Sequence, residues 1–539
     1  MKAFFKHNNY FITLLVCFFS AEIFIGPWGN FPLNDDWAYA KAVMNLFEKH
    51  EINFGSFPSM SLFTHIIWGA IFTCFTGVNF VMLRISSIVS ALIGMWILNK
   101  MVEEITESKK LAFVACFATL FNPMYFNLTN TFMTDVNFLT LWMLSSYLAY
   151  KTFTTKKTSY RMGFLISSVA LVLIRQYGII LPVSFLFASA FESKPRLKNL
   201  IWSAVILLVT VFILKLYEAY LKIHLPPSSE YKYSGNIDLL SLDFWHVFGN
   251  NLKNRYREII LHVLIYAAPI ALLFLPALLR KATKRVTLLV ALISLVACWL
   301  LHIAPGISSA NIIQNLMIGP ETFSETFNGN RHHFFADADK ILEAIKFLLS
   351  VVTVFVTLLY LSTIFTNHRT SFDSRPFYAF MTFSMLGYTG MLILTPSYFD
   401  RYHLPLIFNF SIILFLLLRQ FNASFFLASA LLMMFAYFSV MGTKDYIQIN
   451  TQRWKAYNYL KQELKVPIER INGGFEVNCW NDGHNSGWYD FQNVNNFDYV
   501  IQFNKPIGFN VYQTYSFQRY LPHRKDSLSI FVRQDFSRE

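Results

Sequence analysis

Long apolar stretches alternate with short polar connections along the first 441 residues, and neither Ile201 to Leu214 nor Phe347 to Ile364 contains a charged residue. Stretches of that length predict membrane-spanning helices. Read in order, the candidates are residues 10–28, 79–99, 111–129, 136–150, 162–174, 177–191, 200–220, 257–279, 286–304, 341–365, 377–396, 403–418 and 424–441, giving about thirteen spans. A further apolar stretch, Met60 to Gly77, is treated as juxtamembrane or re-entrant. Before it, Asn34, Asp35 and Asp36 are followed by Trp37, Ala40, Met44 and Phe47 at spacings of three and four. That pattern predicts an amphipathic helix lying on the membrane.

From about Gly442 the pattern changes. Trp454 to Leu464 keeps helical spacing, Gly473-Gly474 marks a turn, and runs such as Tyr499 to Phe503 and Leu528 to Val532 alternate. The expectation is an all-α polytopic membrane bundle over residues 1–441 and a small extracytoplasmic α+β domain over residues 442–539.

Composition agrees. Hydrophobic residues make up 55% and charged residues 14% of the 539, far from the about 25% charged of soluble domains. The net charge of +13 would raise nucleic acid as a partner for a soluble protein. Here the basic residues sit in short loops between apolar stretches, where they set topology, and no nucleic-acid partner is expected. Of five cysteines, Cys17, Cys74, Cys116 and Cys298 lie in apolar stretches, and no two have metal-ligand or redox spacing. Neither a disulfide framework nor a zinc site is expected. Lys2 and Lys6 precede the first apolar stretch, but no small-residue cleavage pattern follows it, so it is taken as a span and not a signal peptide.

If Met60 to Gly77 does not span, the loops carrying Lys109 and Lys110, Lys151 to Arg161, Lys194 to Lys198, Arg280 to Arg285, Arg369 to Arg375 and Arg419 all fall on the cytoplasmic side. If it spans, all of them move outside, against the positive-inside bias. The non-spanning arrangement is therefore preferred, although it leaves Lys253, Arg255 and Arg257 outside. It describes a multi-pass protein of a bacterial inner membrane, with residues 29–78, a turn near Asp135, residues 221–256 and 305–340, and the C-terminal region on the outer side.

Four ionisable sites collect on that side. Asp35 and Asp36 open the juxtamembrane helix, Asp135 stands between two spans, Arg175 lies in a hydrophobic hairpin, and Asp400-Arg401 precedes a late span. Each has a simpler reading: a helix cap, a snorkelling arginine, a local ion pair. Their shared side favours one cavity, because charge in apolar surroundings is costly and usually functional. A carboxylate with arginines suits a base acting beside a phosphate. Glu22 is placed to reach the same cavity. His332-His333 reads as a solvated pair, Lys215 and Glu218 as an i,i+3 ion pair, and Asn127-Leu128-Thr129 and Asn422-Ala423-Ser424 as chance matches to the glycosylation pattern. No P-loop, HExxH or Gly-x-Ser-x-Gly motif is present, which counts against ATP-driven transport and against zinc or serine hydrolysis.

Asn34-Asp35-Asp36-Trp37-Ala38-Tyr39 resembles the outer-loop acidic motif of the GT-C glycosyltransferases, the class of the protein O-mannosyltransferases and the lipid A aminoarabinose transferase. The Arg84 context from Phe80 to Ser90 resembles the start of their second span. Thr134-Asp135 resembles their second acidic motif, and Arg401-Tyr402-His403-Leu404-Pro405 their late Arg-Tyr-x-x-Pro motif. Asn137 stands where a proline is common, and Asp36 where a Glu is commoner.

The resemblance implies inverting transfer of a sugar from a polyprenyl-phosphate donor to a glycan, lipid or protein acceptor at the outer face, with membrane lipid as surroundings. Asp35 would be the base. Asp36 and Asp135 would orient groups, or hold a divalent cation if one is used. Arg175 and Arg401 would take the donor phosphate, with Arg255 and Arg257 as further candidates. The alternatives are a transporter or flippase of lipid-linked saccharides, which would place ionisable residues at the bilayer midplane and repeat one half in the other, and a non-catalytic assembly subunit.

Overall fold

The computed structural model describes residues 9–54, 58, 60–192, 197–224, 242–304, 338–366, 375–395, 398–482, 496–521 and 523–535. His332-His333 lies outside them. Helices occupy each of the thirteen apolar stretches: α1 (Asn9–Ile25), α4 (Phe80–Thr106), α5 (Lys109–Leu120) with α6 (Pro123–Thr129), α7 (Thr134–Thr155), α8 (Thr158–Val172), α9 (Ile180–Ser189), α10 (Leu197–His224), α11 (Leu242–Lys281), α12 (Lys284–Ile303), α13 (Ala338–Thr366), α14 (Arg375–Leu394), α15 (Leu404–Leu418) and α16 (Phe426–Asn458). Eight helices among the described residues are long and apolar enough to cross a membrane, or nine if α5 and α6 form one bent span. The protein is thus a multi-pass membrane protein. Its lipid face is visible on α10 and α12, where Leu208, Phe212, Leu288, Leu289 and Trp299 are exposed, as expected for side chains that meet hydrocarbon.

The stretch 111–129, expected as one span, is bent by 72° between α5 and α6. The cause is local. Pro123 brings no N–H to the ladder, and the Asn122 side chain accepts from Met124 N at 3.0 Å and Tyr125 N at 3.4 Å, capping a new helix. Met60 to Gly77 yields α3 (Phe63–Thr73), whose 11 residues extend about 16 Å, about half of the hydrocarbon core. It is too short to cross alone. The juxtamembrane helix is α2 (Asp36–Lys49), and the Lys215–Glu218 pair forms at 2.8 Å. Asn127, in the first glycosylation-like triplet, is buried within α6.

At 40 residues, α11 runs about 60 Å, about twice the hydrocarbon thickness, so one end projects beyond it. Residue 442 lies inside α16, which continues unbroken to Asn458 and packs against the C-terminal sheet. That sheet has the order β1-β2-β4-β3, built from β1 (Ile471–Asn472), β2 (Tyr499–Gln502), β3 (Phe509–Tyr520) and β4 (His523–Arg533). β1 and β2 are parallel and the other pairs antiparallel, with Tyr499 opposite Val532 and Thr514 opposite Ser529.

Leu528 to Phe531 are buried consecutively, where alternation was expected. Leu528 and Ile530 join the main core, whereas Phe531 packs with Val500 and Phe509 in a small cluster of its own, so both faces of β4 are covered. The sheet is tied to α16 by Asp445, whose carboxylate accepts the N–H groups of Tyr520 and Leu521, each at 2.8 Å.

Candidate active site

Asp35, Asp135, Arg175 and Arg401, spread over more than 360 residues of chain, meet in one buried cluster. Arg401 Nη2 donates to Asp35 Oδ2 at 3.0 Å, and Arg401 Nε lies 3.8 Å from Asp135 Oδ2. Arg175 Nη2 stands 2.9 Å from the same Asp135 oxygen. Two carboxylates thus face two guanidinium groups. The Tyr402 ring lies between the arginines, its centroid 5.1 Å from the Arg175 guanidinium and 5.5 Å from that of Arg401.

Each charged residue sits where a helix begins or ends. Asp35 is the N-cap residue of α2, but its side chain leaves the helix to meet Arg401. Asp36, in the first turn, turns the other way: it accepts from Phe132 N at 2.8 Å and Leu33 N at 3.4 Å. The two neighbours diverge because adjacent helical residues point about 100° apart. Asp135 lies in the first turn of α7. Arg175 occupies the extended residue after α8, and its Nε and Nη2 donate to Thr134 Oγ1 at 3.0 and 2.6 Å. Arg401 is the second residue of the 3₁₀ turn (Asp400–His403) that leads into α15.

Further residues, among them His65, Phe132, Arg453 and Glu476, which the sequence does not single out, hold this cluster in place. Phe132 is gripped through both of its backbone polar groups: Asp36 takes its N–H, and His65 Nε2 lies 3.2 Å from its carbonyl oxygen. The carbonyl requires a donor, so Nε2 carries the proton. His65 Nδ1 then accepts from Asn137 Nδ2 at 2.8 Å. Asn137, the departure from the GT-C pattern, is thereby explained as the partner of a buried histidine. Arg84 donates to the carbonyl oxygens of Pro27, Gly29 and Phe31, fixing the chain that leads into Asp35. From the C-terminal region, Glu476 on α17 (Phe475–Asp482) accepts from Asn34 N at 3.4 Å and pairs with Arg453 at 3.2 Å. The signals were faint: a lone His in an apolar stretch, and an acid 442 positions from its partner.

Burial raises the Asp35 carboxyl above its ordinary pKa of 3.8, against the pull of Arg401 and with Asp135 adding to the rise. Burial pushes Asp36 up to about 8, against Arg84 and two backbone N–H groups.

The other candidates are placed differently. Arg255 Nη1 donates to the carbonyls of Leu392, Ile393 and Thr395 at 2.9, 3.3 and 2.6 Å, capping the end of α14. Arg257 Nε is buried and has no hydrogen-bond partner among the described residues. Glu22 accepts from Asn130 Nδ2 at 3.1 Å. Among the described residues no group of three or more His, Cys, Asp or Glu is arranged to hold a metal ion. Asp36, a candidate metal ligand, has both oxygens engaged by backbone N–H groups.

Arg255→Ala is expected to lower thermal stability in detergent by about 1–3 kcal/mol, since three carbonyls lose their donor, and Arg255→Lys to recover part of the loss. An unshifted melting temperature in Arg255→Ala would return Arg255 to the phosphate-binding candidates.

Residues 62–217 match the family model described as dolichyl-phosphate-mannose-protein mannosyltransferase. Over that stretch the chain is similar to a mannosyltransferase family. The stretch contains Arg84, Asp135 and Arg175, but neither Asp35 nor Arg401. No curated protein matches the chain. Among solved structures, ArnT from Cupriavidus metallidurans bound to undecaprenyl phosphate aligns with 11% identity and a TM-score of 0.40, covering 96% of this chain and 97% of that one. The apo state of the same protein aligns with 11% identity and a TM-score of 0.41 over the whole of both chains. A likeness that weak carries no argument about chemistry.

Proposed function

We propose that this protein is an integral membrane glycosyltransferase of the GT-C type that moves a sugar from a polyprenyl-phosphate donor to an acceptor at the extracytoplasmic face, inverting the anomeric centre. The observation that carries the reading is the meeting of Asp35, Asp135, Arg175 and Arg401, two acids and two arginines that are ion-paired where helices begin and end. The family match over residues 62–217 supports it.

The chemistry follows from that charge balance. A phosphate entering between Arg175 and Arg401 competes with the two carboxylates for the guanidinium forks. As Arg401 turns to the phosphate, Asp35 loses its cation and becomes the stronger base. Asp35 takes the proton of the acceptor hydroxyl while the acceptor oxygen bonds to the anomeric carbon from the face opposite the phosphate. The bond from that carbon to the phosphate oxygen breaks, and the arginines stabilise the charge that collects on the leaving group. A lipid phosphate is already a stable anion, so no strong general acid is needed. Asp135 holds Arg175 and Arg401 in place, and Asp36 fixes the backbone at Phe132 beside it. Residues 1–441 form the catalytic membrane unit, and residues 442–539 an extracytoplasmic domain joined to it through α16.

The decisive experiment is mass analysis of lipid-linked sugars and surface glycans from cells with and without the protein. Loss of one sugar from an envelope glycan, with its lipid-phosphate donor accumulating, is the expected result. Unchanged glycans and donor pools would defeat the proposal.

The orientation has its own test, in a background lacking the five cysteines. A cysteine at exposed Lys156 should resist a membrane-impermeant thiol reagent added from outside, and one at Ile507, which is 97% exposed, should react. Labelling at 156 would reverse the orientation and place the acid and arginine cluster on the cytoplasmic side.

A further inference from the structure

Away from the charged cluster, a cleft of about 380 Å³ opens between the end of α16 and strand β3, lined by Gln452, Lys455, Tyr459, Gln513, Thr514, Tyr515 and Ser516. Its volume is at the lower end of the ~300 to 1,000 Å³ range of small-ligand sites. Three features of its construction point to one ligand chemistry.

The first is its place on the sheet. β3 is an edge strand in the order β1-β2-β4-β3, and its pairing with β4 slips between Val511 and Gln513, just before the lining residues. Bulges of this kind bend a strand and re-aim its side chains, often beside a site. Successive strand residues point to opposite faces, so Gln513 and Tyr515 share one face and Thr514 and Ser516 the other. A single cleft meets both faces only along the rim of the strand, where an elongated ligand can lie.

The second is the lining chemistry. Tyr515 is buried and Tyr459 half-buried, while Gln452, Gln513, Thr514 and Ser516 supply amide and hydroxyl groups that both donate and accept. Bifunctional polar groups beside an aromatic wall, of which Tyr459 is the more open ring, complement a pyranose, which presents C–H bonds on its faces and hydroxyls around its edge. An extended peptide adding to the strand would call for alternating apolar pockets, which this lining lacks.

The third is charge. No acid is among the lining residues, and the ammonium of Lys455 stands over the Tyr515 ring, 5.9 Å from its centroid. An anionic group on a sugar seated at that ring would meet it in a charge-assisted hydrogen bond.

We propose that the cleft between α16 and β3 binds a short acidic saccharide, such as a uronate-bearing glycan, with Lys455 holding the anionic group and Gln513 the hydroxyls. Binding there does not depend on sugar transfer, so the two readings stand or fall separately.

The test uses the full-length protein in detergent on an immobilised panel of neutral and uronate-bearing oligosaccharides, with a glutamate-rich peptide as the control for simple ion exchange. Uronate-bearing members should be retained over their neutral counterparts and over the peptide. Lys455→Gln and Gln513→Ala should each weaken retention by about tenfold, and Asp35→Asn should leave it unchanged. Lys455 is exposed and Gln513 partly exposed, so neither change threatens the fold. Retention of no saccharide, equal retention by the wild type and both variants, or preference for the peptide would each overturn the proposal.

Discussion

Asp35→Asn is expected to lower sugar transfer by about 10² to 10⁴ while leaving the protein folded and inserted, the range of a lost general base. The amide keeps the size of the side chain and accepts a hydrogen bond from Arg401, but it has no basic oxygen to take the acceptor proton. Arg401 keeps the amide oxygen and has Asp135 3.8 Å away, so neither guanidinium is left without a polar neighbour, although Asp135 then faces both arginines and the cluster carries one excess positive charge. Folding should survive this with a modest loss of stability. Asp36→Asn acts differently. Its two oxygens receive backbone N–H groups, and an amide offers one acceptor, so the loss there should be structural, seen as reduced stability together with reduced transfer.

The pH profile separates the roles further. A base must be deprotonated, so transfer falls as pH drops through the Asp35 pKa, and the acid limb should lie above the ordinary carboxylate value of 3.8 because burial raises the group. A loss of only a few-fold in Asp35→Asn would remove it from the role of base. A large loss in Asp36→Asn with full stability would exchange the two assignments. If neither mattered, the transporter or assembly-subunit readings would replace the transferase.

Much of this arrangement is legible in the sequence, for a physical reason. An acid or arginine within apolar surroundings is expensive, so Asp135, Arg175 and Arg401 stand out without any knowledge of their partners. The apolar stretches announce their helices in the same way. Periodicity assigns a face to each residue but does not say which face it will meet. The grip of His65 and Asp36 on Phe132, the hold of Arg84 on three carbonyls and the approach of Glu476 to Asn34 all depend on tertiary packing. Arg255 shows the converse. Its charge made it a phosphate candidate, whereas the chain folds so that its Nη1 is taken by three carbonyls at and just beyond the end of α14. The bend at Asn122-Pro123 could have been anticipated, since that dipeptide is a turn signal, but the unbroken apolar composition around it reads as a single span.

Arg401→Lys is expected to cut turnover by about 10² to 10³ at saturating donor, comparable to losing one donor to a developing oxyanion. Arg401 reaches Asp35 through Nη2 and Asp135 through Nε, one planar group spanning two acids. A lysine ammonium is a point charge that can sit beside one of them but cannot keep both contacts and present a second donor to a phosphate. The charge of the cluster is preserved, so a loss of activity would report geometry and not electrostatic balance. Arg175→Lys provides the comparison, because Arg175 also anchors to Thr134 through Nε and Nη2, and lysine would lose that anchor along with the fork. The readout is turnover at equal protein level, with donor binding measured separately. If the arginines act on the departing phosphate, turnover should fall more than donor affinity, since charge on the leaving oxygen grows only as the bond breaks. Normal turnover in both lysine variants would reduce Arg175 and Arg401 to anchors of the two acids. The donor phosphate would then have to be sought at Arg257, whose buried Nε has no hydrogen-bond partner among the described residues.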